Sequence, residues 1–160
     1  HNGKSIKAVF CETSADIENY LGKTGVHRII IDEVQFFPGI YDLCFKLIPQ
    51  GYKITCAGIA RGFNRKTFAE TSKLMCLADN IIINSAICIE PYCGYVARDS
   101  ERRVLNSDAS SRRASYFDDM EKVGASKEHA KEFYYVPKCL RHWGIESEPN
   151  LKYRFNLLKK

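Results

Sequence analysis

The sequence predicts an α/β protein built on a parallel sheet flanked by helices, followed by a small metal-anchored lobe. Three observations carry this reading. Arg28-Ile29-Ile30-Ile31 runs straight into Asp32-Glu33; a continuous apolar run of this kind suits a strand covered on both faces, with carboxylates only at its carboxyl end. Strand-like and helix-like segments alternate as far as Ala86, the order a parallel sheet requires. Beyond Cys88 that alternation stops, and two short-spaced pairs of metal-type side chains bracket a polar stretch.

Each element has its own justification. Lys7 to Phe10 reads as a short strand. Glu12-Thr13-Ser14-Ala15-Asp16 supplies capping side chains for a helix through Leu21, with Gly22 and Gly25 as its stop. Arg28 to Ile31 is the buried strand, and its carboxyl end is where open α/β sheets bind ligands. After Pro38-Gly39, the spacing of Ile40, Leu43, Cys44, Leu47 and Ile48 gives a helix one apolar face. Lys53 to Ile59 reads as the next strand, Ala60 to Thr67 as a loop, Ala69 to Leu77 as a helix and Asn80 to Ala86 as a further strand. Asp99 to Arg113, rich in Ser and Arg, reads as a hairpin or loop, and Val123-Gly124-Ala125 and Tyr134-Tyr135-Val136 as short ordered pieces. Three regions follow: a core over 1–86, a lobe over 87–145 and an extension over 146–160.

Composition narrows the classes. The 160 residues are 45% apolar and 27% charged, ordinary for a soluble globular chain. A net charge of +5 fits a protein that handles phosphates, but without a basic cluster nucleic acid is not an expected partner. No apolar stretch approaches membrane-spanning length. Seven cysteines, an odd number, argue for an intracellular, reducing compartment rather than a disulfide scaffold. The cytoplasm is the first expectation and an organellar matrix the second.

Cys88 and Cys93 form a C-x4-C pair, and Cys139 and His142 a C-x2-H pair. Two such pairs joined by a long loop are a common way to give zinc its four tetrahedral ligands, and a knot of this kind anchors a lobe with little core. The alternative at this point is ordinary thiols with a surface histidine. Cys11, Cys44, Cys56 and Cys76 lie in strand or helix patterns and read as core. Taken alone, Asp32-Glu33 could be solvated strand-end residues, and Phe63 and Phe68 core aromatics.

Together these features resemble the type II, zinc-containing thymidine kinases, collinearly from His1 to about Trp143. Ile31-Asp32-Glu33-Val34-Gln35-Phe36-Phe37 matches that family's I-D-E-x-Q-F-F. Gly58-Ile59 through Phe63 to Thr67-Phe68 is similar to G-L-D-x-x-F-x-x-x-P-F. Cys93 to Arg102 resembles C-G-x-P-A-x-x-T-x-R, Val123 to Ser126 resembles V-G-A-S, and Tyr135 to His142 resembles Y-x-x-x-C-R-x-H. The resemblance implies a P-loop-type core with a zinc-anchored lasso, acting in ATP-dependent phosphorylation of thymidine or a related deoxynucleoside to its 5′-monophosphate. It implies Glu33 as general base and Asp32 as the indirect magnesium partner. Phe36, Phe63, Phe68, Ser100, Val123, Gly124 and Tyr135 would bind the nucleoside, and Cys88, Cys93, Cys139 and His142 the zinc. A homo-oligomer, a tetramer by family, is the implied assembly.

The match has gaps. Gly3-Lys4-Ser5 is followed by a strand pattern where a phosphate loop needs a helix, so it is not read as such a loop. His1-Asn2-Gly3 better fits the family's later S-H-D-G, with Asn2 for the aspartate. The chain as given is therefore expected to begin after the phosphate loop and to need an upstream segment or another chain to complete its sheet. Ala60 replaces the aspartate of G-L-D, Thr67 the proline of P-F, and Pro91 stands where a C-x2-C pair would place its second cysteine. These departures keep an alternative open: a kinase-derived, inactive structural subunit of a larger assembly that retains fold and zinc site.

Overall fold

The structure, a computed structural model, describes residues 6–120 and 132–145. They divide into two compact units, one of 6–60 with 67–81, the other of 61–66 with 82–120 and 132–145.

The first unit is a parallel strand pair packed on helices. Helix α1 spans Ser14–Thr24 and is held at its start by a capping box: the Thr13 hydroxyl accepts from the Asp16 amide while the Asp16 carboxylate accepts from the Thr13 amide. Gly25, at φ 64°, closes its other end. Strand β1, Arg28–Ile31, pairs in parallel with β2, Lys53–Cys56, with Ile29 opposite Ile54 and Ile31 opposite Cys56. Between them lies α2, Ile40–Leu47, and after them α3, Ala69–Leu77. Four of the five residues expected on the apolar face of α2, Ile40, Leu43, Cys44 and Leu47, are buried with Ile17, Leu21, Ile31, Val34 and Leu74; the fifth, Ile48, is exposed because the helix gives way there to a 3-10 turn around Pro49. Glu70 ties α3 to the start of α2 by accepting from the Tyr41 amide at 3.1 Å.

Several expectations are corrected here. Lys7–Phe10 forms no strand and is exposed. Of the segment Asn80–Ala86 only Ala86, with Ile87, pairs, in the short strand β3. Strands exist only where a neighbour takes their backbone groups, and among the described residues β1 and β2 bond only each other. Strand β1 is also covered on one face rather than two, because the described helices pack on the Ile31 side: Ile31 is buried but Ile30 is 70% exposed. Cys44 is buried and Cys11 partly so, whereas Cys56 and Cys76 are exposed rather than core.

The second unit is antiparallel. Strand β3, Ala86–Ile87, pairs with β4, Val96–Ala97. Strand β5, Asp99–Leu105, is central to a three-stranded sheet between β6, Ser111–Arg113, and β7, Phe133–Lys138. The polar stretch from Asp99 is thus a hairpin. Its charges are matched rather than simply solvated. Glu101 is 1% exposed and accepts from Arg113 Nε at 3.1 Å and the Gly144 amide at 3.0 Å, with Arg103 beside its other oxygen. No helix of the described residues is long and apolar enough to cross a membrane.

Candidate active site and metal centre

In the first unit the acid pair sits where β1 ends. Ala57 donates to the Ile31 carbonyl at 2.8 Å and Val34 to the Ala57 carbonyl at 3.1 Å, so the backbone stays tied to β2 just beyond the strands. Between these bonds the chain turns through Glu33, which adopts the left-handed region at φ 55°, ψ 40°. That conformation is uncommon for a residue with a side chain and costs about 1 kcal/mol or more. Asp32 Oδ1 accepts the Glu33 amide at 2.9 Å, and both side chains are exposed.

Gln35 fixes the Glu33 carboxylate. Its Nε2 donates to Glu33 Oε2, and its Oε1 accepts the Ile59 amide at 3.1 Å. Gly58 makes room for this clamp, since a Cβ there would lie 2.6 Å from Gln35 Oε1 and 2.7 Å from Val34 Cγ2. Gln35 was part of the recognised motif, but its role was not legible because its partner comes from beyond β2. Phe36 lies on the 3-10 turn Val34–Phe36 and meets Phe68 edge-on, with ring centroids 6.2 Å apart. The Phe68 amide is bound by the Ala60 carbonyl at 2.9 Å. The structure thus brings Asp32, Glu33, Phe36 and Phe68 into one unit.

In the second unit Ser100 pairs with Pro137 and Arg102 with Tyr135 across β5 and β7. Opposed residues in an antiparallel pair share a face, so Ser100, Arg102 and Tyr135 lie on one side of the sheet. The Arg102 guanidinium stacks over Phe63 at 3.9 Å and Phe133 at 5.2 Å. It also donates to the Asp119 carbonyl at 2.6 Å and pairs with Asp118 at 3.3 Å. Phe63, 3% exposed, therefore has one ring face taken up by a cation. Ser100 and Tyr135 are exposed. Val123 and Gly124 lie outside the described residues. The role of Arg102 escaped the sequence reading, because its burial depends on three separated segments.

The four metal-type residues converge. The Sγ atoms of Cys88, Cys93 and Cys139 and a ring nitrogen of His142 all lie within 4.8 Å of one another. A zinc tetrahedron with arms of ~2.3 Å to sulfur and ~2.0–2.1 Å to nitrogen has edges of about 3.8 Å between sulfurs and about 3.6 Å between sulfur and nitrogen. The chain provides 3.7 Å between Cys93 and Cys139 and 3.6 and 3.4 Å from His142 Nδ1 to Cys88 and Cys139. The donor set and these three spacings fit a zinc tetrahedron. Two backbone turns build it: Cys93 donates to the Glu90 carbonyl at 3.1 Å, and His142 and Trp143 to that of Cys139 at 3.0 and 2.9 Å. Burial opposes ionisation of Cys88, but amides of Cys139 and Glu90 and the His142 and Cys139 side chains hydrogen-bond its sulfur and hold its pKa down to about 6. That is the state a metal ligand needs. Lys138, buried beside the knot, is ion-paired with Glu90.

A parallel α/β unit bearing an acid pair at its strand end, together with a Cys3His cluster, defines the class of zinc-containing nucleoside kinases. The thymidine kinase family profile matches residues 1–143, and the chain belongs to that family.

Proposed function

We propose that the protein transfers the γ-phosphoryl group of ATP to the 5′-hydroxyl of thymidine or a closely related deoxynucleoside. The observation that supports this most is the held carboxylate of Glu33, strained into place and clamped through one oxygen by Gln35. Its other oxygen is left to accept the hydroxyl proton. As that proton moves to Glu33, the O5′–phosphorus bond forms and the bond to the leaving ADP oxygen breaks. Catalysis of this kind is mostly alignment and charge neutralisation. Magnesium, when bound, supplies neutralisation of the phosphate oxygens. Asp32 would hold it through water, since one of its oxygens already serves the Glu33 amide.

Phe36, partly exposed and backed edge-on by the buried Phe68, would give the nucleoside an aromatic contact. The same reading gives Phe63, Ser100, Val123, Gly124 and Tyr135 to its base and sugar, and makes the zinc structural. It places the protein in a reducing compartment, the cytoplasm first, as a homo-oligomer or a subunit of a larger complex. The second reading, an inactive structural subunit, draws on Asn2 and Ala60, which stand where the family has aspartates.

The test is incubation of the zinc-loaded full-length protein with radiolabelled thymidine, Mg2+ and ATP. Labelled 5′-monophosphate is expected, with uridine a poorer acceptor. Full zinc occupancy without phosphorylation of any deoxynucleoside would favour the structural subunit.

A further inference from the structure

The loop at Arg61–Lys66 and the strands β4 and β5 frame a cleft of about 440 Å3 in the second unit, lined by Arg61, Arg65, Val96, Arg98, Asp99 and Leu140. Three arginines and one aspartate line it, a net lining charge of +2. Asp99, its side chain 7% exposed, takes two of the arginines. Arg65 approaches it through Nε at 3.3 Å and Nη2 at 2.9 Å, while its flat face stacks on Trp143 at 3.8 Å. Arg61 uses Nη2 for both Asp99, at 3.1 Å, and the Arg98 carbonyl, at 3.2 Å. Its Nε and Nη1 have no hydrogen-bond partner among the described residues. The Arg98 guanidinium has no partner among the described residues.

Arg61 and Arg65 are held before any ligand arrives, which removes part of the ordering cost of binding. Forked guanidiniums match phosphate oxygens better than any other common side chain. A dianionic phosphate would neutralise the cleft, whereas a single carboxylate would leave it charged. Beside the arginines, Val96 and Leu140 are exposed and give the cleft an apolar wall. We propose that this cleft binds a phosphorylated small molecule, its phosphate on Arg61 and Arg98 and its non-polar body against Val96 and Leu140. The site stands independently of the kinase reaction.

Equilibrium dialysis of the full-length, zinc-loaded protein against radiolabelled inorganic pyrophosphate at physiological ionic strength tests it. A nucleotide site elsewhere in the protein could also take pyrophosphate, so the decisive quantity is the difference from the Arg61→Ala/Arg98→Ala double variant. The double variant is expected to lose one class of site, or to bind it at least about tenfold more weakly. Emission of Trp143, the sole tryptophan and the stacking partner of Arg65, should shift on saturation in the parent alone. Arg98→Glu, altering a side chain with no hydrogen bond or ion pair among the described residues, keeps the test readable should the double variant fail to fold. Equal pyrophosphate binding by the parent and Arg98→Glu, or none by the parent, would overturn the proposal. Thymidine phosphorylation, assayed in parallel, reports on the kinase reading alone.

Discussion

The indole N–H of Trp143 donates to the carbonyl of Phe63 at 3.1 Å and shares its hydrogen with the Ser100 carbonyl at 3.3 Å. Trp143 is the residue after His142, and its own amide is bound by Cys139. The Cys/His cluster is therefore bonded directly to the loop that carries Phe63 and to strand β5.

Removing the metal should be felt at both. Structural zinc sites contribute on the order of 10 kcal/mol to folding. Cys139→Ser, or a strong chelator, is expected to release zinc and move Trp143 emission to the red as its ring meets water. Metal content and emission spectra, measured together, check this; unchanged emission after zinc loss would separate the knot from the packing.

Arg102 should act as the centre of its cluster. Arg102→Met keeps most of the stem against Phe63 and Phe133 but removes the donors to Asp118 and Asp119. Breaking a buried pair costs about 3–5 kcal/mol. With Asp118 a third exposed, a loss of about 2 kcal/mol is expected in urea unfolding, with zinc content retained.

Glu70 gives the first unit an acid-sensitive tie. Burial works against its charge, but Lys73 and the amides of Tyr41 and Gly39 outweigh this and hold its carboxyl below the ordinary carboxylate range. A lowered folded pKa means stability that is fully present above the unfolded value of about 4.3 and lost as pH falls through the folded value. Glu70→Gln should therefore cost about 1 kcal/mol at pH 7. The difference from the parent should close in strongly acid solution, as urea melts across pH will show.

The Gln35 clamp has a graded consequence. Gln35→Ala frees Glu33 without removing it and leaves the Ile59 amide to water. A fall of about tenfold in kcat, smaller than for loss of the base itself, is expected from steady-state rates.

What was legible in the sequence was local. The capping box at Thr13 and Asp16, the apolar face of α2, the acids after Ile31 and the two metal-ligand pairs are each written within a few consecutive residues. What was not legible depends on partners far along the chain. Lys7–Phe10 and Asn80–Ala86 have strand-like side chains, but side chains do not supply a neighbouring backbone. The burial of Arg102 between Phe63 and Phe133, and the reach of Gln35 to Ile59, depend in the same way on contacts that span tens of residues.

The most direct measurement is the turnover of Glu33→Gln in the full-length protein with saturating thymidine and Mg-ATP. The substitution keeps size and hydrogen bonding but removes the proton acceptor. We expect kcat to fall by about 10²–10⁴-fold, with KM for thymidine nearly unchanged and zinc fully retained. A parent enzyme that turns over while Glu33→Gln matches its rate would contradict the role given to this carboxylate.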